Sequence, residues 1–234
     1  MPAPVLLRRP LLPPGEPGPA LIAHGAGNSL ALAAEGVAAK ADYLEVDLWV
    51  HRGRFEARHE RRLALAVPLL FEKWYVRGAP RRPFDLAQLL EAAPDPTGVF
   101  LDLKNAPAAA GPLARTAISE AAAAGPVLAS GQHWPLLRAL HRELPSVGLF
   151  YSIDVPAKLD LFFSVLDRDR LPMGVSANYR LLTPPVISAL RDRGLTVIAW
   201  TVDDPAEAER LVTLGVEGIT THRVAEMRER FGRA

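Results

Sequence analysis

The chain has 234 residues, 49% of them hydrophobic and 23% charged, with a mean hydropathy of +0.09. This is enough material for one large domain with a sizeable core, and it excludes intrinsic disorder. The 27 Lys and Arg against 26 Asp and Glu leave a net charge of +1. That excludes a broad electrostatic footprint for nucleic acid or an anionic membrane, and zero Cys excludes disulfides, thiolate metal sites and Cys nucleophiles.

Taken in chain order, Arg8 and Arg9 precede a Pro-rich run, Pro10 to Gly15, that cannot form the apolar helix of an export signal. Residues 1–19 read as an arm, residues 20–234 as one domain, and the default location is the cytoplasm. Apolar runs such as Leu63 to Phe71, interrupted by Pro68, are too short for a membrane-spanning helix. Ala20 to Ala23 reads as a buried strand, and Asn28 can N-cap a helix to about Lys40. Tyr43 to Val50 is a second strand, followed by a hairpin arm, His51 to His59, turning at Gly53. Asp85 opens a short helix, Val99 to Leu103 is a third strand, and Ala108 to Ala124 is an Ala-rich helix ended by Gly125-Pro126. Five more strands are expected at Val127–Ala129, Val147–Tyr151, Gly174–Ala177, Thr196–Thr201 and Gly218–Thr220. Helices near 135–144, 157–166, 184–193, 205–214 and 224–231 lie between or after them. Eight strands alternating with helices predict an α/β fold, a single-domain (β/α)8 TIM barrel. A doubly wound sheet is the alternative, weakened because His24-Gly25-Ala26-Gly27-Asn28-Ser29 lacks the spacing of a dinucleotide-binding turn.

A barrel gathers the residues at the C-terminal ends of its strands at one mouth. The first strand ends at His24. The second carries Glu45 and Asp47 on one face, with Leu44, Val46 and Leu48 on the other. The third repeats the alternation with Asp102 and Lys104 between Leu101 and Leu103. An E-x-D pair alone is as readily a solvated rim, and a lone His is commonly structural. Here His24, Glu45, Asp47, His59, Asp102 and Lys104 all fall at mouth positions, which packing does not explain. Adjacent carboxylates repel unless a cation lies between them, and three of them make an all-oxygen site suited to one divalent cation, Mg²⁺ or Ca²⁺. His51, His133, His141 and His222 are expected not to be ligands. Asn178 and Tyr151 are further candidates at strand ends.

These residues resemble the glycerophosphodiester phosphodiesterase family, metal-dependent enzymes on a (β/α)8 barrel. Ile22-Ala23-His24, Asn28-Ser29-Leu30 and Ala41 to Asp47 are similar to its opening motifs. Arg52-Gly53 with His59-Glu60 is similar to its D-G and H-D pair, and Phe100 to Lys104 to its E-x-K strand. Ala199-Trp200-Thr201-Val202-Asp203 and Gly215 to Thr221 are similar to its W-T-V and G-V-D-G-I pieces. There are departures: Gly25 replaces a phosphate-contacting Arg, Gly27 a Glu that often binds metal, Asp102 a Glu, and Glu60 an Asp. The Glu, Asp, Asp set followed by Leu-Lys also resembles sphingomyelinase D and phospholipase D-like toxins of the same superfamily.

The resemblance implies a phosphoric diester hydrolase acting on glycerophosphodiesters or similar lipid headgroup fragments. Glu45, Asp47 and Asp102 would hold the metal, and His24 and His59 would share acid and base roles not assigned between them. Lys104 would contact phosphate, with Trp200 and Asn28 as further substrate contacts; Trp200 serves equally as barrel filling, and Asn28 as a cap. Arg58 or Arg180 would replace the Arg missing at Gly25. The expected partner is a small phosphodiester, with no nucleic acid and no transmembrane segment, and the oligomeric state stays open. Three alternatives remain. A lyase on lysolipids would form a cyclic phosphate, with Leu69, Leu70, Phe71, Trp74 and Tyr75 either a landing surface or a buried loop. A non-catalytic barrel would bind phosphate or polyol. An aldolase-like reading of Lys104 is opposed by Asp102, which would keep the amine charged.

Overall fold

The computed structural model describes residues 10–52, 54–64, 67–93, 97–104, 111–124, 126–166 and 172–233. Eight parallel strands close on themselves: β1 (Ala20–Ala23), β2 (Tyr43–His51), β7 (Gly98–Lys104), β8 (Val127–Gly131), β9 (Gly148–Ile153), β10 (Gly174–Asn178), β11 (Thr196–Trp200) and β12 (Gly218–Thr221). They pair in the order β1-β12-β11-β10-β9-β8-β7-β2, and β2 returns to β1 through Ile22 opposite Tyr43. The expected barrel is therefore the fold. Each strand start lies within a residue of its predicted position.

The helices α1 (Leu30–Ala38), α2 (Leu86–Ala92), α3 (Gly111–Ala124), α4 (Trp134–Glu143), α5 (Pro156–Leu166), α6 (Pro184–Asp192), α7 (Pro205–Thr213) and α8 (Val224–Arg230) surround the strands. Local chemistry sets several of their starts. Asp85 and Gln88 form a reciprocal capping box on α2, while Pro184 and Pro205 stand in the first turns of α6 and α7, where a missing N–H is harmless. The cap of α1 is Ser29, whose Oγ accepts from the Leu32 N–H at 3.2 Å. The expectation that Asn28 caps this helix is thus corrected: its side chain is engaged by Asp47. Gly53, Gly125, residues 1–9 of the expected arm and the start of the helix expected from Ala108 lie outside the described residues.

Two apolar layers result from strand alternation. Between strands and helices lie side chains such as Leu44, Val46, Leu101, Leu103, Val197 and Ile219. Inside the barrel Ile22, Tyr43, Phe100, Leu128, Phe150 and Ile198 form a separate cluster. Leu11 of the arm joins that cluster, and its carbonyl accepts from the Tyr43 hydroxyl at 2.8 Å. Burying each such side chain contributes roughly 1.5–3 kcal/mol.

The hairpin expected after β2 is present as β3 (Arg54–Ala57), antiparallel to the end of β2. Three further strands have no counterpart in the sequence expectation. β4 (Arg61–Ala64), β5 (Val67–Glu72) and β6 (Tyr75–Gly78) form a separate antiparallel sheet. The stretch around Leu69 to Tyr75 is therefore neither a loop nor uniformly buried: Leu70 is fully covered, whereas Trp74 is 86% exposed.

Candidate active site

The interior changes character along the strands. Below are Ile22, Tyr43, Phe100, Leu128, Phe150 and Ile198; one step towards the C-terminal ends, the same inward positions carry His24, Glu45, Asp102, Ser130, Ser152, Ser176 and Trp200. A period of two fixes this, since inward residues alternate with those facing the helices. The polar layer opens into a cavity of about 460 Å³ that His24, Glu45, His59, Asp102, Lys104 and Trp200 help to line.

Strand register brings the carboxylates together: Asp47 lies opposite Asp102 on the neighbouring strand, with Glu45 two residues earlier on β2. One oxygen from each of Glu45, Asp47 and Asp102 lies within 4.8 Å of the others. Burial pushes the Glu45 carboxyl well above its ordinary value, and the charges of Asp47 and Asp102 push it further. Lys104 Nζ lies 2.9 Å from Asp47 Oδ1 and bonds Asp102 Oδ2 as well. Burial opposes the Lys104 charge, but Asp102, Asp47 and Glu45 outweigh it and hold the amine protonated. Asp102 also accepts from Ser130 Oγ at 3.2 Å. A buried, mutually repelling, all-oxygen group of this kind can hold a hard divalent cation.

The loop after β1 braces these groups. The Gly25 N–H donates to Glu45 Oε2 at 2.6 Å. Asn28 grips Asp47 twice: its Nδ2 donates to Asp47 Oδ2 at 2.7 Å, and its Oδ1 accepts from the Asp47 N–H at 2.9 Å. Both glycines that depart from the family pattern have structural reasons. Gly25 has φ of +66°, a left-handed conformation that an Arg adopts at a penalty of roughly 1–2 kcal/mol. At Gly27 a Cβ would stand 2.5 Å from Val46 Cβ and 2.9 Å from Leu89 Cδ2, so no longer side chain fits.

The two expected histidines are held alike through Nδ1. His24 Nδ1 is 3.1 Å from Thr201 Oγ1, and His59 Nδ1 is 3.2 Å from Glu72 Oε2. His24 is pushed down from 6.5 to about 4, first by burial and then by the nearby His222. His59 is half-exposed.

His222, set aside as a ligand by the sequence reading, lies beside His24. Its ring centroid is 4.6 Å from that of His24, and its Nδ1 is 2.9 Å from Asp203 Oδ2. Asp203 also accepts from Thr221 Oγ1 and from the His222 N–H. Although burial pushes the Asp203 carboxyl up, these hydrogen bonds outweigh it and hold it below the usual range. Lys73 also lines the cavity and was not anticipated; Asn178 lines it too. Tyr151 instead stacks on Trp134 in the outer core. Arg58 is not available as a substitute phosphate contact, because its guanidinium bonds Glu56 and the Glu60 carbonyl and lies over Trp49. Arg180 is exposed over Tyr179.

Comparison with known proteins agrees with this architecture. The sequence model of the Glycerophosphoryl diester phosphodiesterase family matches residues 112–226. That span lies wholly C-terminal to the carboxylates, His24 and His59. No curated protein matches the chain. A glycerophosphodiester phosphodiesterase from Parabacteroides distasonis superposes with a TM-score of 0.71 at 18% identity, covering 93% of this chain and 98% of the other. One from Thermotoga maritima gives 0.70 at 16%, covering 92% and 99%. A phosphodiesterase from Oleispira antarctica, in complex with the product sn-glycerol-3-phosphate, gives 0.69 at 15%, covering 92% and 97%. The resemblance carried by the motifs is thus borne out in family match and in fold.

Proposed function

We propose that this barrel, which resembles the glycerophosphodiester phosphodiesterases, hydrolyses glycerophosphodiesters to an alcohol and a phosphomonoester with a divalent cation, Mg²⁺ or Ca²⁺. The family match over residues 112–226 and the shared fold support a phosphoric diester hydrolase; the substrate, the cation and the residue roles are our reading. The observation that carries it is the cluster of Glu45, Asp47 and Asp102 beside His24 and Lys104 at one mouth. Those three carboxylates would hold the cation, which when bound supplies Lewis-acid stabilisation of the phosphate charge.

The residues of the chain divide the remaining work. Lys104, kept protonated by its neighbours, presents positive charge to the non-bridging oxygens. His24 is neutral at pH 7 and can take a proton from the attacking water. His59, paired with Glu72, can carry a proton and deliver it to the leaving alkoxide. Trp200 lines the cavity for the apolar part of the substrate, while Asn28 acts behind the site by fixing Asp47.

The test is hydrolysis of glycerophosphocholine and bis(p-nitrophenyl) phosphate with Mg²⁺, with Ca²⁺ and with EDTA. Cation-dependent turnover that His24→Asn, His59→Ala and Asp102→Asn each abolish is the expected result. Turnover indifferent to EDTA, or surviving Asp102→Asn, would defeat the assignment.

A further inference from the structure

We propose that the sheet β4–β5–β6 docks the protein on an anionic lipid surface, with the mouth of the barrel beside that surface. The two faces of this sheet differ. Leu70 sits opposite Arg62 and Arg77, and this face is anchored: Arg62 pairs with Glu56 at 2.9 Å, and Arg77 with Glu60 at 2.5 Å. Tyr75, on the same side, donates to Glu60 at 3.1 Å. Alternation places Leu69, Phe71 and Val76 on the other face. None of these three packs against either apolar core, and Val76 is 60% exposed. Leu63, at the irregularity in β4, is 56% exposed, and Trp74 stands at the tip of the β5–β6 turn. An exposed Trp beside a strip of aliphatic side chains suits the boundary between water and lipid.

Charge identifies the occupant. Residues 51–83 hold nine Arg and Lys against three Glu, a net +6, within a chain whose total is only +1. Arg52, Arg61, Lys73, Arg81 and Arg82 have no carboxylate partner among the described residues. A second copy of the chain docked face to face would oppose +6 to +6, whereas an anionic bilayer complements it. Position ties docking to chemistry. Lys73 lines the active-site cavity and Trp74 is the next residue outward, so a bilayer at Trp74 lies against the mouth. This consequence rests on the phosphodiesterase reading; the docking itself does not.

The experiment is co-sedimentation of the intact chain with phosphatidylcholine vesicles and with vesicles containing about one-third phosphatidylglycerol, in EDTA so that no turnover intervenes. Binding to the anionic vesicles alone is expected, falling steeply between about 0.1 and about 0.5 M NaCl. Arg61→Gln should lower it about fivefold, the effect of one cation at a membrane surface. Trp74→Ser combined with Val76→Glu should lower it at least tenfold, with unchanged melting and unchanged hydrolysis of soluble glycerophosphocholine. Equal binding to neutral vesicles, or undiminished binding by the double variant, would overturn the proposal. So would a wild-type dimer, seen by light scattering, that Val76→Glu dissociates while vesicles are ignored. Vesicle binding by a protein that cleaves no diester would leave docking standing and remove only the catalytic reading.

Discussion

Acidification in the absence of metal should weaken the fold through His24, and the magnitude follows from its surroundings. The imidazole is pushed from 6.5 to about 4, by burial first and by His222 second. Between those values the unfolded chain binds a proton that the folded chain refuses, so stability rises with pH. The contribution is intact above pH 6.5, is lost as pH falls through the window, and levels off below about 4. At roughly 1.4 kcal/mol per pKa unit, the loss reaches about 3 kcal/mol by pH 4. The assay is urea denaturation in EDTA from pH 7.5 to 4, comparing wild type with His24→Asn. Carboxylates titrate in both proteins and cancel in the comparison. The wild type should lose about 3 kcal/mol more than the variant, with a steepest slope near 1.4 kcal/mol per pH unit. Two curves that stay parallel across the range would refute the claim that His24 is buried in its neutral form.

Three further outcomes rest on single contacts. Gly27→Ala forces a Cβ to within 2.5 Å of Val46 and 3.0 Å of the Glu45 carbonyl. Overpacking of this kind should remove about 3 kcal/mol and lower the melting temperature by roughly 6–12 °C; an unchanged melt would contradict the packing described. Lys104→Met removes the cation lying on Asp47 and Asp102. Turnover should drop on the order of a hundredfold while Mg²⁺ binding, read by calorimetry, tightens, and weaker binding would argue against a shared carboxylate site. His222→Ala removes the second cause of the low His24 value. The acid limb of kcat/KM should therefore move to higher pH, and a stationary limb would show that the ring contact carries no electrostatic coupling.

The parts of the site legible in the sequence are those set by short-range geometry. Glu45 and Asp47 share a face because a strand repeats every two residues, and the same rule separates Asp102 and Lys104 from Leu101 and Leu103. Nothing in that rule brings β2 beside β7 in the register that sets Asp47 against Asp102; that needs the whole barrel. The contact of His222 with His24 shows the same limit. His222 follows the last strand and His24 the first. They meet only because β12 closes onto β1, where the His24 N–H donates to the Thr221 carbonyl at 2.9 Å. Asn28 failed as a cap for a related reason: Ser29 offers the helix an equivalent acceptor, which leaves the amide for Asp47, nineteen residues away.

Composition averages over a segregation of charge along the chain. A net charge of +1 argues against an anionic partner only if charge is spread evenly, and here +6 sits in residues 51–83. The sequence pattern of that segment is also irregular. Pro68 interrupts it, β4 carries an irregularity, and among the described side chains of its three strands the one fully buried apolar side chain is Leu70. Ion pairs brace this sheet: Arg62 reaches Glu56 on β3, and Arg77 reaches Glu60 just before β4. Glu60 stands where the related pattern has Asp, and its extra methylene lengthens the reach to Arg77 and Tyr75. Beside it, His59 Nδ1 lies 3.2 Å from Glu72 Oε2 of β5 at the cavity rim, so the basic sheet and the candidate site share a border.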